Sequence, residues 1–98
     1  MGSTRPQTPG LAKKLRQIRE SLGLSQAGMV QLLKKQMLPV RLRVYPGNIS
    51  RFEQGAREPS ALALLAYSRA AAVPIEVLVD AKAELPSSMT STSRRKQA

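Results

Sequence analysis

Four apolar residues, Leu11, Leu15, Ile18 and Leu22, recur at intervals of 4, 3 and 4. That spacing lays one apolar stripe along an α-helix and leaves Lys13, Lys14, Arg16 and Gln17 away from it. Thr8 followed by Pro9 supplies an N-cap with proline at the first helical position, and Gly23 supplies a stop. A helix over 9–22 is predicted. So short a helix is marginal alone, so its stripe must be buried against other elements.

The rest of the chain offers partners of the same kind. Ser25 caps a second helix over 26–35, with Val30 and Leu33 facing inward and Met29 or Leu32 beside them. Gly28 inside it costs about 1 kcal/mol relative to alanine. A third short helix is predicted over 48–54, in Asn48-Ile49-Ser50-Arg51-Phe52-Glu53-Gln54-Gly55. Ile49 and Phe52 face inward, Asn48, Ser50 and Arg51 face out, and Gly55 ends it. After the basic turn Ala56–Glu58, Pro59 suits the start of a fourth helix over 60–72, carried by Leu62, Leu65, Ala66 and Ala70. Val73-Pro74 breaks it, and Ile75, Leu78 and Val79 support a fifth over 75–81. With one phenylalanine, two tyrosines and no tryptophan, the core must be largely aliphatic. The expected fold is all-α: one compact bundle of about five short helices spanning 9–85. Polar residues 1–8 and the serine-rich, basic-ended residues 86–98 read as a disordered arm and tail.

Residues 36–47 break the helical pattern. Val40-Arg41-Leu42-Arg43-Val44 alternates apolar and basic residues, a period of two bracketed by Pro39 and Pro46. It reads either as an extended basic loop or as an edge that pairs with another chain. Tyr45-Pro46-Gly47-Asn48 carries turn chemistry into the third helix.

Charge narrows the function. Sixteen Lys/Arg against six Asp/Glu give +10, and residues 1–49 hold nine basic residues and one acidic. Such a field attracts polyanions: DNA, RNA or an anionic membrane surface. No stretch has the roughly 18 apolar residues of a membrane span, and no apolar signal core opens the chain. The expected location is cytoplasmic, associated with the nucleoid. Without histidine or cysteine, the usual general base, thiol nucleophile and zinc ligands are missing. Asp80 and Glu84, at helical spacing, read as a solvated face, and the glycines form no phosphate loop. Neither an enzyme nor a cofactor or metal site is expected.

Two blocks, Leu22-Gly23-Leu24-Ser25-Gln26 and Ile49-Ser50-Arg51-Phe52-Glu53-Gln54-Gly55, in this order resemble the Cro/cI-type (XRE, lambda-repressor-like) helix-turn-helix DNA-binding domain over roughly residues 10–80. The resemblance implies a transcriptional regulator that binds double-stranded DNA and commonly acts as a dimer on paired half-sites. It places Asn48 and Arg51 at the base edges, in keeping with the affinity of asparagine for adenine and arginine for guanine. It gives Gln26, at the start of the second helix, a backbone or base contact. Ser50, Gln54 and Arg57 fall to the phosphates, and Arg19 of the first helix pairs with Glu53.

The chain departs from the family pattern. Val30 and Lys34 stand where a small residue and a glycine are usual. Some eleven residues separate Lys35 from Gly47, where the ordinary turn has about three or four. Pro46 and Gly47 hold positions from which family members read bases, and neither has a side chain for it. Sequence discrimination is then either poor or shifted to Tyr45, Arg41 and Arg43. The loop reads either as following the DNA backbone, with Lys34, Lys35, Arg41 and Arg43 facing phosphates, or as a solvated insertion. A homodimer would have to use the fifth helix, the Val40–Val44 edge or the tail. Two other readings stand beside this one: an antitoxin-like module that binds a protein partner, and a general nucleic-acid or RNA binder. The scarcity of aromatics argues against single-strand stacking.

Overall fold

The computed structural model describes residues 10–86. Their secondary structure is helical throughout, without a strand: α1 (Leu11–Ser21), α2 (Gln26–Lys34), α3 (Pro46–Gln54), α4 (Ala61–Ala71) and α5 (Ile75–Val79). The principal helix contacts close a ring, α1 to α3, α3 to α2, α2 to α4, α4 to α5 and α5 back to α1. The core fills that ring. The expected all-α bundle of five short helices is the observed architecture. The 1–8 arm, the Thr8–Pro9 start and residues 87–98 lie outside the described residues.

The first helix starts at Leu11 behind Gly10, which holds the left-handed conformation and accepts the amide of Lys14. Leu11, Leu15 and Ile18 are buried as the spacing requires, but the stripe differs at two places. Leu22 lies past the last helical turn as the C-cap and is 37% exposed. Lys14 is only 8% exposed, because a residue three after Leu11 and four before Ile18 falls within the stripe. Its stem packs inside while Nζ donates to the carbonyls of Val77 (2.7 Å) and Asp80 (2.9 Å). Lysine thus satisfies the Val77 carbonyl, joins the Ala83 amide (3.0 Å) on the Asp80 carbonyl, and ties α1 to α5.

In α2 the Ser25 hydroxyl accepts the Gly28 amide at 3.0 Å. A Cβ on Gly28 would stand 3.3 Å from that same oxygen, so the glycine makes room for the cap. Met29, Val30 and Leu33 are buried; Lys35 is the C-cap, one residue short of the expected end. The third helix begins at Pro46 rather than Asn48. Proline at its first position needs no amide partner and brings its φ already set.

α4 is capped by Ser60, whose hydroxyl accepts the Ala63 amide at 3.1 Å; Pro59 lies before the cap, buried. Its buried face is Ala63, Leu64, Ala66, Tyr67 and Ala71, rotated from the expected Leu62, Leu65, Ala66 and Ala70. A helix apolar nearly all round has no periodicity from which to choose a face. Tyr67 is the largest fully buried side chain among the described residues. Ala72 ends α4 in the left-handed conformation (φ 57°), while the Ser68 hydroxyl donates to the Val73 carbonyl. α5 stops at Val79, not 81, because Asp80 leaves the helix and its side chain accepts the Lys82 amide at 2.9 Å. Leu78 is buried, whereas Val79 is exposed.

Between α2 and α3 the chain bends at Pro39 and Val40 and then runs extended over 41–45. Leu42 and Val44 enter the core, Leu38 packs partly against it, and Arg41, Arg43 and Tyr45 face outward. Burying Leu42 and Val44 contributes about 1.5–3 kcal/mol each, enough to pin this arm to the bundle without a partner strand. No described helix is long and apolar enough to cross a membrane.

Candidate nucleic-acid interface

Ile49 and Phe52 fix how α3 sits: both are buried against the core, and their spacing of three turns Ser50, Arg51 and Gln54 away from it. Arg51 and Gln54 are exposed and Ser50 half-buried, with Gln54 Nε2 donating to Ser50 Oγ at 3.0 Å. Glu53 points the other way. Arg19 of α1 donates from Nε to Glu53 Oε2 at 2.7 Å and from Nη2 to Oε1 at 3.0 Å, a bidentate pair. Nη1 of the same guanidinium donates to the Leu24 carbonyl just before α2, at 2.9 Å. One side chain therefore ties together α1, α3 and the approach to α2. The carboxylate beside it pushes the Arg19 pKa up from its ordinary value.

These elements enclose a shallow cleft of about 200 Å³ lined by Arg16, Arg19, Gln26, Ser50, Glu53 and Gln54. Gln26 is the first residue of α2, so the cleft lies at a helix N-terminus, where amides point outward and the dipole favours anions. Arg16 also stands on this rim, although sequence reading had not singled it out. Its exposed pairing with Glu20 at 3.0 Å contributes little to stability and leaves it available to a polyanion. The signal was available: Arg16 follows the buried Leu15 on the helix that also supplies Arg19.

Other residues expected to meet DNA lie elsewhere. Asn48 is half-buried and its Oδ1 accepts the Tyr45 amide at 2.9 Å, closing the first turn of α3. Its oxygen is thus committed to capping, and a bidentate base contact would require it to let go. Asn48 lines a groove with Arg43 and Arg57, while Lys34 and Arg41 line another. Lys34 Nζ lies over the Tyr45 ring, 5.5 Å from its centroid, a cation–π contact linking the end of α2 to the start of α3. Lys35 is exposed at the C-cap of α2. Gln26, Ser50 and Gln54 are brought together; Arg51 stands exposed outside their cleft; Arg41, Arg43 and Arg57 lie along the grooves of the arm. Among the described residues no three acidic, histidine or cysteine side chains gather as metal ligands.

The Tyr67 hydroxyl, another group sequence reading missed, has no hydrogen-bond partner among the described residues. Burial pushes its pKa well above the usual tyrosine range, and the Glu53 charge adds to the shift. Compared with known protein families, curated proteins and solved structures, the chain finds no match.

Proposed function

We propose that this chain binds double-stranded DNA as a transcriptional regulator of the Cro/cI helix-turn-helix kind, with α2 across the backbone and α3 in the major groove. One observation carries the reading. The exposed face of α3 and the N-terminus of α2 meet in a single cleft that holds Gln26, Ser50 and Gln54 beside Arg16. An α-helix fits the major groove, and a second helix presenting its N-terminus to a phosphate fixes the first in register. Arg51, exposed on α3, is the base-reading residue of this proposal, and a bidentate arginine–guanine contact gives about 1–3 kcal/mol of discrimination. Asn48 reads a base only by surrendering its bond to the Tyr45 amide. Its main part is therefore to cap α3, leaving Arg51 as the principal reader.

The +10 charge provides the salt-sensitive attraction. Arg57, Lys34, Lys35, Arg41 and Arg43 supply phosphate contacts along the arm and the turn after α3. Selection from a random duplex pool at low and high salt tests the proposal. A sharp consensus that Arg51→Ala blurs at one base pair supports it. Binding that is lost with salt and never yields a consensus overturns it in favour of general polyanion binding.

A further inference from the structure

The arm between α2 and α3 has a property that DNA binding does not use. The arm bends at Pro39 and Val40 and then runs extended over 41–45, and none of the backbone N–H or C=O groups of 37–44 bonds to another backbone group among the described residues. An unpaired extended segment presents donors and acceptors at strand spacing, the surface to which another strand adds itself. It also carries the two most exposed large apolar side chains outside α3's cap, Met37 at 84% and Val40 at 63%. Beside it runs a groove of about 600 Å³. The apolar part of its lining is Leu42, Val44, Phe52, Pro59 and Ala63, and Arg43 and Arg57 are its basic residues. Glu58, on the same wall, is itself engaged. A second groove of about 500 Å³ shares Leu42 and is bounded by Lys34 and Arg41.

From this we propose that the arm is a docking edge for an extended acidic peptide of a partner protein. The peptide adds as a strand along residues 41–44, with apolar side chains in the groove and carboxylates at Arg43 and Arg57. Charge selects the occupant: no Asp or Glu lies between Glu20 and Glu53, while Lys34, Lys35, Arg41, Arg43 and Arg51 do. A second copy of the chain paired antiparallel would set arginine against arginine along the arm, which is unfavourable. A phosphate backbone only accepts hydrogen bonds, so it would leave the arm's carbonyls and the exposed Met37 and Val40 without partners. Because Arg43 and Arg57 also serve the proposed DNA contacts, peptide and duplex would compete.

The test uses a fluorescent peptide alternating aspartate with valine, and a second of the same charge interrupted by proline at a pairing position. Fluorescence anisotropy gives the affinities, and amide-resolved NMR locates the site. The expected result is binding of the first peptide with shifts at the 41–44 amides, and binding of the proline peptide weaker by about tenfold or more, since proline cannot donate to the ladder. Replacing both Arg43→Gln and Arg57→Gln should weaken binding by about tenfold, with helix content unchanged by circular dichroism. Equal affinity for both peptides would reduce the contact to bulk charge and overturn the proposal. So would the absence of binding, an unaffected double variant, or amide shifts at 41–44 caused by duplex DNA and not by the peptide.

Discussion

Breaking the Arg19–Glu53 pair should cost more than any other single polar change in the described fold. The two side chains are 17% and 6% exposed, so neither charge can be rehydrated in place once its partner is gone. Removing one member of a buried pair costs about 3–5 kcal/mol. Glu53→Leu leaves the guanidinium its bond to the Leu24 carbonyl and a nearby Glu20, which places it at the low end, about 3 kcal/mol. Arg19→Met strands the more deeply buried carboxylate and frees the Leu24 carbonyl as well, which places it about 1 kcal/mol higher. The double variant strands no charge and should cost less than either single change, about 1 kcal/mol for the freed Leu24 carbonyl, so the coupling between the two sites is at least about 3 kcal/mol. Domains of this size have about 5–15 kcal/mol in all, so either single variant should show a large shift in midpoint. Urea unfolding followed by far-UV circular dichroism measures all four corners of the cycle, with the m-value checked for constancy. Costs that add to within about 0.5 kcal/mol, or single changes costing less than that, would refute the idea that this pair joins α1, α3 and the approach to α2.

Tyr67→Phe should be neutral or stabilise by up to about 1 kcal/mol, because it removes a buried hydroxyl without a partner. The same variant tests the raised Tyr67 pKa. Above pH 10 the folded state holds a proton that the unfolded state gives up, so stability should fall with pH by about 1.4 kcal/mol per unit, and this limb should be missing in the variant. Lys14→Met should free the Val77 carbonyl, leave the Asp80 carbonyl only its Ala83 amide, and cost about 2 kcal/mol, with faster amide hydrogen exchange in α5 as its local mark; uniform loss across the chain would argue against a local tie. Ala72→Gly should stabilise by about 0.5–1 kcal/mol, since glycine adopts the left-handed conformation without penalty. If the arm meets phosphates, replacing both Arg41→Gln and Arg43→Gln should flatten the salt dependence of duplex binding by about 2 in log–log slope; an unchanged slope removes the arm from the DNA interface.

Much of the fold was legible in sequence because the needed signals are local. The spacing of Leu11, Leu15 and Ile18 sets α1, the Ser25 cap sets α2, and Ile49 with Phe52 sets which face of α3 looks outward. Those signals depend on bonds and turns within a few residues, so no knowledge of the neighbours was required. The pairing of Arg19 with Glu53 did not come from such spacing, because the residues are far apart in the chain; it was implied only by resemblance to a family. The alternation at Val40–Val44 was legible too, but not what it meant. Two of its apolar residues are absorbed by the core of the bundle, and no strand is needed to hold it.

Tertiary packing settled what local pattern leaves degenerate. Lys14 looks like a surface residue until α5 arrives with the Val77 and Asp80 carbonyls as acceptors. The buried face of α4 could not be chosen from a helix that is apolar nearly all round; its packing beside α2 and α5 made Tyr67, not Leu62 or Leu65, the central side chain. The family resemblance implies a base contact for Asn48, and in the fold its Oδ1 accepts the Tyr45 amide and closes the first turn of α3. Local sequence determined which segments are helical and, for α1, α2 and α3, which face turns inward, because capping and periodicity act over one or two turns. The long-range polar ties, by contrast, depend on which groups the folded chain brings within hydrogen-bonding distance and shields from water.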